Sequence, residues 1–267
     1  MRVFRAFVIR DFLNETSYRF SFLLSLGSVF FNVLVFYFLS LFIDQATTVN
    51  LAETEGNYFS FVLIGIAFGG YFNASLTSFS GSLREAQLTG TLEAMLMTPT
   101  SLSAIVTGSA AWIYIFTTFR VLAYLLVGML ISGLRFTHAN YAAALAGLVL
   151  AVISFASIGI IAAAVIMVVK RGNPVTAIFI TVANLVSGVY YPVEVLPDWL
   201  QLIARLMPLT YALRLMRQAL LAGASWSELA NDFIALLAFC LILFPLSLIV
   251  FRMAVKRARL EGTLAHY

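Results

Sequence analysis

The 267-residue chain is 62% hydrophobic and only 10% charged, whereas an average soluble domain is about 25% charged. This composition excludes an ordinary soluble domain and indicates an integral membrane protein, since a spanning helix needs about 20 predominantly apolar residues. The net charge of +4 does not point to nucleic acid, because the basic residues gather at the edges of the apolar runs.

Six spanning helices are predicted, with both ends of the chain on the cytoplasmic side. Basic residues precede the first span and follow the last, and Lys and Arg beside a span favour the cytoplasmic face. The loop after the first span carries only acidic charges, whereas Lys170 and Arg171 join the fourth span to the fifth. Arg135, Arg205, Arg214 and Arg217 fit less well, because they fall in predicted outer segments. The predicted spans cover residues 20–43, 57–82, 104–133, 140–169, 174–192 and 230–251.

The fold class that follows is an all-α integral membrane protein with one transmembrane domain over residues 1–267. Residues 1–19 are interpreted as an N-terminal cytoplasmic or interfacial segment, and residues 252–267 as a cytoplasmic tail. Near the sixth span, Ser225 with Glu228 three residues later predicts a capping box.

An amphipathic stretch between the second and third spans predicts a short cytoplasmic helix over residues 84–99. Leu92 and Leu96 lie on an apolar edge at helical spacing, Glu93 keeps part of the helix wet, and Pro99 ends it. Two interpretations fit this pattern. The helix either docks a partner protein or is a connector that rests on the lipid surface.

A second amphipathic stretch, residues 194–223, predicts a hairpin of two short helices on the outer side. Pro197 starts the first helix and Pro208 separates it from the second. Each limb reaches about 15 to 20 Å, well short of a ~30 Å hydrocarbon core, so neither limb is expected to span. The hairpin either dips into the membrane against neighbouring helices or lies flat on the outer leaflet, and the first arrangement is favoured.

Several chemistries find no support in the residues. The two lysines, Lys170 and Lys256, are each followed by arginine, so no G-x-x-x-x-G-K-[ST] loop can hold a nucleotide, and the chain is not expected to be an enzyme. The single cysteine, Cys240, and two histidines offer no metal cluster or internal disulfide, so no cofactor or metal is expected in this chain. Acidic residues avoid the span interiors, which counts against an ion-coupled carrier.

Arg120 is the one charge in the middle of a span, where burial costs at least ~2.5 kcal/mol. It either lines a wet translocation route, where it could meet an anionic substrate group, or it is satisfied by helix carbonyls and polar side chains. Weakly polar stripes at helical spacing also run along the first, second and fifth spans, and Gly65 and Gly69 form a G-x-x-x-G motif typical of close helix packing.

The stretch GTLEAMLMTPTS, residues 90–101, and the later YYPVEVLP…W…PLTY…LR resemble the ABC type-2 permease family, the membrane subunits of bacterial ABC exporters with the type V exporter fold. The resemblance implies that residues 84–99 are a coupling helix seated in a separate ATP-binding subunit. The implied coupling residues are Arg84, Glu85, Gly90, Thr91, Leu92, Glu93, Met95, Leu96 and Pro99. It also implies an outer gate at the hairpin, formed by Tyr190, Tyr191, Pro192, Pro197, Trp199 and Pro208.

The same resemblance implies a homodimer of permeases with two ATP-binding subunits that carry ATP and Mg, in the bacterial cytoplasmic membrane and in contact with its lipid. A central route would export an amphipathic, lipid-linked, glycan or drug-like substrate. The candidate route residues are Asn73, Thr77, Ser80, Arg120, Thr181 and Asn184. The alternatives are an ion-coupled carrier or channel that needs no ATPase and, outside transport, a membrane enzyme or an assembly scaffold.

Overall fold

The computed structural model describes residues 9, 12, 19–46, 57–88, 102–134, 136–169 and 173–260. Within these ranges the secondary structure is helical throughout, with eight α-helices and one short 3-10 helix, Val193–Val195. The α-helices are α1 (Arg19–Ala46), α2 (Tyr58–Leu88), α3 (Leu102–Ser132), α4 (Tyr141–Val169), α5 (Asn173–Val186), α6 (Asp198–Arg205), α7 (Pro208–Leu220) and α8 (Ala230–Leu260).

Five of the described helices, α1, α2, α3, α4 and α8, are long and apolar enough to cross a membrane. They coincide with five of the six predicted spans, so the protein is a multi-pass membrane protein. The predicted fifth span, residues 174–192, is wrong in its length, because α5 has only 14 residues and is about 21 Å long. The helix ends because Gly188 takes a left-handed conformation, with φ of 82°, which no α-helix continues.

Helix α2 is the centre of the fold. It contacts α1, α3, α4, α5 and α7. In the most apolar stretch of α2, 83% of the residues are buried inside the molecule, whereas the corresponding share is 17% in α1 and in α8. Aromatic side chains fill the space around it; Phe72, for example, meets Phe155 of α4 edge to face at 5.4 Å. The outward sides of the other spans expose large apolar residues such as Phe42 and Leu130, as expected of surfaces in contact with lipid.

The predicted G-x-x-x-G motif on α2 is confirmed as a close contact. A Cβ at Gly65 would overlap the carbonyl oxygen of Val189, so the backbone after α5 lies directly against α2. A Cβ at Gly159 of α4 would likewise overlap the carbonyl oxygen of Ser75. Glycine is required at these two positions because backbone meets backbone there.

Helices α6 and α7 form the predicted hairpin. The backbone turns at Leu206 and Met207, and the hydroxyl of Thr210 donates to the carbonyl oxygen of Ala204 at 2.8 Å, which holds the two limbs together. Near the other end of α7, the carbonyl oxygen of Ala219 accepts from the backbone N–H of Asn140 at 2.8 Å, just before α4 begins. Helix α7 therefore runs antiparallel to α4, with its first turn pointing into the bundle.

The hairpin reaches well into the helix bundle. Leu209 and Leu213 of α7 lie against Phe68 of α2 and Phe155 of α4. Phe68 is about 15 Å from the start of α2, and Phe155 is about 21 Å from the start of α4. Helix α7 is packed among α2, α4 and α8, and ten of its residues are buried.

The predicted cytoplasmic helix over residues 84–99 is described only in its first part. Helix α2 continues without a break to Leu88, so Arg84 and Glu85 belong to the same helix as the second span and do not start a new one. The continuation is explained by the sequence after Ser82, LREAQL, which has no glycine or proline to stop a helix. Gly90, Thr91, Leu92, Glu93, Met95, Leu96 and Pro99 lie outside the described residues.

Candidate functional site

A cavity of about 300 Å³ lies between α2 and α3. Its polar lining consists of Asn73 and Thr77 from α2 with Thr117, Arg120 and Tyr124 from α3, and the rest of its wall is apolar or glycine. We call it the mid-span cavity, because Arg120 is roughly 27 Å from the start of α3 and 18 Å from its end. Three of the predicted route residues, Asn73, Thr77 and Arg120, therefore share one cavity.

The guanidinium of Arg120 is half-buried and lies beside the hydroxyl of Tyr124, with which it interacts. Its Nε atom is buried and has no hydrogen-bond partner in the described part of the structure. Both remaining interpretations of Arg120 required a polar environment, and the cavity supplies one. The guanidinium does not use all of its hydrogen-bond donors there, because Nε has no acceptor among the described residues.

A pair of asparagines connects α5 to the cavity wall. The Nδ2 group of Asn184 donates to Oδ1 of Asn73 at 3.0 Å, and the hydroxyl of Thr77 donates to the carbonyl oxygen of Asn73 at 2.9 Å. Asn184 thus joins the cavity residues through Asn73. Thr181 does not, because it is exposed and its hydroxyl donates to the carbonyl oxygen of Ala177 in its own helix. Ser80 lies in α2 one turn beyond Thr77; its backbone is helical, and its side chain is outside the description.

Sequence reasoning missed the polar side of α3. Thr117 and Tyr124 line the cavity at i−3 and i+4 from Arg120, which is the spacing of one helix face. The hydroxyl of Tyr114 on the same helix donates to Oγ of Ser75 at 2.7 Å and joins α3 to α2. A search for polar residues at helical spacing around Arg120 would have identified this face.

A second group of polar side chains fixes the hairpin in place. Arg217 of α7 is only 3% exposed and donates to the carbonyl oxygens of Phe61 at 3.2 Å and Gly188 at 2.7 Å, with a longer contact of 3.4 Å to Val189. Its guanidinium also lies 3.4 Å from the ring centroid of Phe61. Arg217 therefore connects the hairpin to the start of α2 and to the turn after α5.

Arg214, one turn earlier on α7, forms an ion pair with Asp232 of α8 in which both carboxylate oxygens accept from Nε at 3.0 Å and Nη2 contacts one of them. Asp232 is buried, with a side chain 5% exposed, and Arg214 is 38% exposed. Arg214 and Arg217, which did not fit a predicted outer segment, are thus explained by their partners. We call the two arginines and their partners the arginine clamp.

Some of the predicted gate residues are packed inside the protein, and others are exposed at its surface. The carbonyl oxygen of Tyr190 accepts from the hydroxyl of Tyr58 at 3.0 Å, and its ring stacks on Phe36. Pro208 is buried as the first residue of α7, whereas Trp199 of α6 is 66% exposed. The other gate residues, Tyr191, Pro192 and Pro197, flank the 3-10 helix before α6.

A second cavity, of about 390 Å³, lies between the hairpin and the segment that follows α5. Pro192 and Glu194 line it from that segment, and Arg205, Arg214 and Arg217 line it from the hairpin side. The hairpin therefore borders an open space on this side, and the two arginines of the arginine clamp form part of the wall of that space.

A family model described as "ABC-2 type transporter" matches residues 2–221. The match takes in α1 to α7, with the mid-span cavity and Arg217, and it ends before α8 begins at Ala230. No curated protein matches the chain significantly.

Proposed function

The chain belongs to the ABC-2 type transporter family, and on this premise we propose that it exports an amphipathic, lipid-linked, glycan or drug-like substrate across a bacterial cytoplasmic membrane, as one of two identical permease subunits. The family provides the membrane component of an ABC transporter and is a permease domain, not a nucleotide-binding domain. Its members typically work with a separate ATP-binding subunit. ATP and Mg would act on that subunit.

The mid-span cavity is the observation that carries the proposal. The cavity is open to the outside of this chain at Thr77, whose side chain is exposed. Here about 300 Å³ of open volume lies at mid-span, and its lining contains an arginine and an asparagine. A transported molecule needs such a polar space at the depth where lipid offers none.

A second copy of the chain would complete the route. Thr77 at the cavity and Thr181 on α5 both have exposed side chains, although each lies in an apolar helix. Helix α5 also exposes Ile178, Val182 and Leu185 and is too short to cross a membrane alone. A homodimer that pairs the α2 and α5 faces would cover these polar groups and place two mid-span cavities along one central route.

The continuous helix α2 supports coupling to ATP hydrolysis. Its cytoplasmic end carries Arg84 and Glu85, its middle carries Asn73 and Thr77, and its outer end is joined to the hairpin through Phe61. A push on the coupling residues 84–99 would move the cavity wall and the outer end together, because a helix is stiff along its axis. A nucleotide cycle drives such a movement only if its states contact the coupling segment differently.

The hairpin is proposed as the re-entrant outer gate. Helix α7 is buried among α2, α4 and α8, a position that favours insertion over a helix pair lying flat on the outer leaflet. Helix α6 has only Ala204 buried, and it can shift while α7 stays packed. The turn after α5 lies at the start of α2, where the hydroxyl of Tyr58 donates to the carbonyl oxygen of Tyr190, so residues 173–192 would complete a sixth crossing and both termini would be cytoplasmic.

The test is the ATP hydrolysis that co-purifies with the full-length chain when it is produced together with its ATP-binding subunit and purified through a tag on the permease. ATP hydrolysis is expected in the eluate of the wild-type chain. It should fall at least tenfold in a Leu92→Asp, Glu93→Arg variant, in which an apolar coupling residue becomes acidic and an acidic one becomes basic. Asp198→Asn, an exposed acid of α6 on the opposite side of the membrane, is the matched control and should keep the activity.

The outcome that contradicts the proposal is flux that requires no ATPase. An ion-coupled carrier or channel predicts that the chain alone, in liposomes, moves solute when an ion gradient is applied. A single cysteine at position 93 in a Cys240→Ser background tests the geometry independently. Labelling of that cysteine from the side opposite to the amino terminus would rule out mechanical coupling.

A further inference from the structure

We propose that the mid-span cavity binds an oxyanionic headgroup, a phosphate or a carboxylate, of an amphiphilic molecule, and that Arg120 is the residue that binds it. The proposal deepens the proposed function by naming the chemical class of cargo or lipid that the cavity accepts. The binding itself requires neither ATP nor a partner subunit.

Arg120 has no acidic partner among the residues that the structure describes. The residues that line the mid-span cavity include no aspartate or glutamate. The chain has 12 acidic residues, and all of them lie outside the described spanning helices or within four residues of a helix end. They are Asp11, Glu15, Asp44, Glu53, Glu55, Glu85, Glu93, Glu194, Asp198, Glu228, Asp232 and Glu261. The acidic residues of the described helices in a second copy would therefore also lie away from mid-span.

An anion from another molecule would compensate this charge. A charged side chain at the bilayer centre costs at least ~2.5 kcal/mol, and intramembrane charges are normally paired or solvated. Helix α3 places Arg120 about 18 Å from the nearer end of the helix, which is too far for its side chain to reach either membrane surface. The structure thus maintains an unfavourable charge beside an open cavity.

Three polar groups of the lining can donate to a ligand, whereas the hydroxyls of Thr77 and Thr117 donate to carbonyl oxygens of their own helices. The Nε atom of Arg120 is buried with no acceptor among the described residues. The Tyr124 hydroxyl interacts with the guanidinium as an acceptor, so its own proton can be donated to a ligand. Oδ1 of Asn73 already accepts from Asn184, so the amide NH₂ is what Asn73 offers. A guanidinium, a hydroxyl and an amide together suit phosphate or carboxylate oxygens.

The size of the cavity limits the ligand to a headgroup. Pockets for complete drug-sized ligands measure about 300 to 1,000 Å³, and this cavity is at the lower limit. Its remaining lining is apolar, with Ile66 and Ala67 from α2 and Ile113, Phe116 and Val121 from α3. An oxyanion attached to an alkyl chain satisfies both parts of this lining, whereas a free inorganic ion would satisfy only the polar part.

The experiment measures ligand-dependent thermal stability of the purified full-length chain in the neutral detergent dodecyl maltoside. Dodecyl phosphate and laurate are the probes, and inorganic phosphate and dodecanol are the comparison compounds. The wild-type chain should be stabilised by both probes and by neither comparison compound, because bound ligand stabilises the folded state by mass action. Arg120→Gln should weaken the apparent affinity at least tenfold, and Arg120→Lys should be intermediate since lysine keeps the charge but loses the bidentate geometry.

Two further variants keep the result interpretable. Tyr124→Phe retains Arg120 and removes one donor, so it should weaken binding by roughly three- to tenfold, the value of about 1 kcal/mol for one hydrogen bond. Arg252→Gln changes an exposed arginine of α8 far from the cavity in sequence and should bind like the wild-type chain. Equal stabilisation of the wild-type chain and Arg120→Gln by dodecyl phosphate would overturn the proposal, as would a wild-type response to inorganic phosphate that equals the response to dodecyl phosphate.

Mass spectrometry of the purified chain distinguishes a resident lipid from a cargo. A phospholipid retained by the wild-type chain and lost from Arg120→Gln identifies the headgroup as that of a membrane lipid. Binding of dodecyl phosphate to a wild-type chain that retains no phospholipid identifies a cargo site. Absence of both retention and binding refutes the headgroup site, and it leaves the test by co-purifying ATP hydrolysis unaffected.

Discussion

Arg214 and Asp232 form a two-pronged ion pair that joins the hairpin helix α7 to the first turn of α8. The carboxylate is buried, and the guanidinium keeps partial contact with solvent and lies 5.4 Å from the ring centroid of Tyr211. Together with Arg217, which binds the start of α2 and the turn after α5, the pair connects the hairpin to three other parts of the bundle.

The first prediction concerns the buried carboxylate. Asp232→Ala should destabilise the protein by about 2 to 3 kcal/mol, at the lower end for a broken buried ion pair, because the exposed part of Arg214 can be solvated. The measurement is the free energy of unfolding in a titration of mixed micelles with a denaturing detergent. Asp198→Ala, which removes an exposed acid in the first turn of α6, is the control and should cost less than about 1 kcal/mol. An equal loss in both variants would show that the ion pair contributes nothing specific.

The second prediction concerns Arg217. Arg217→Met keeps an apolar chain against Phe61 but leaves the carbonyl oxygens of Phe61 and Gly188 without this donor, so a loss of about 2 to 4 kcal/mol is expected. Amide hydrogen exchange should accelerate in the turn after α5 and in the first turn of α2. Arg205→Met, an exposed arginine of α6, should leave both segments unchanged. Acceleration confined to α7 itself would contradict the role of Arg217 as a connection between segments.

The third prediction uses two glycines of the same helix. Gly65→Ala would place a methyl group against the carbonyl oxygen of Val189, and α2 would have to move away from the turn at a cost of about 1 to 3 kcal/mol or more. Gly81→Ala meets no atom within 4 Å and should stabilise the helix by up to about 1 kcal/mol. The measurement is the thermal unfolding temperature of each variant compared with that of the wild-type chain. Similar stability for both would mean that α2 and the turn are not in close contact.

The spanning helices could be predicted from the sequence because a long apolar run is a local property. The predicted limits of the second span, for example, begin within one residue of the start of α2 at Tyr58. The end of α5 could not be predicted in this way. Val189, Tyr190 and Tyr191 continue the apolar run, and only the left-handed backbone of Gly188 shows that the helix has already stopped.

The partners of the buried charges were not predictable for a different reason. The helical spacing in α7 puts Leu209 and Leu213 on one apolar face and Arg217 on a different face. In the structure both faces are buried, because Arg217 finds its acceptor at Phe61, 156 residues away in the sequence. Periodicity reports which residues share a side of a helix and contains no information about what covers that side.

The mid-span cavity was predictable only in part. Arg120 and the polar stripe of α2 could be identified from the sequence, because a charge or an amide in an apolar span is conspicuous. That Asn73 and Arg120 meet depends on how α2 rotates against α3, which is set by contacts such as the hydrogen bond from Tyr114 to Ser75. The list of polar residues was therefore predictable, and their convergence on one cavity was not.

The last prediction concerns the loop that leads into α8, where one half of the predicted capping box between Ser225 and Glu228 is present. The carboxylate of Glu228 accepts from the backbone N–H of Ser225 at 2.7 Å and from its hydroxyl at 3.0 Å. These hydrogen bonds, the backbone one first, hold the pKa of Glu228 below its ordinary value of 4.5. The stabilisation is therefore present above the pKa of the unfolded chain and is lost as the pH falls through the lower pKa of the folded protein.

Hydrogen exchange at the Ser225 amide, corrected for the intrinsic rate at each pH, should show constant protection at neutral pH and a loss of protection that begins below pH 4.5. Glu228→Gln cannot carry the charge, so its protection should be weaker at neutral pH and should show no step on acidification. The backbone N–H of Asn140, which donates to the carbonyl oxygen of Ala219, is an internal reference without a carboxylate and should show no such step in either protein. A step of equal size in Glu228→Gln would mean that another group controls the loop, because only the wild-type side chain can lose a proton there.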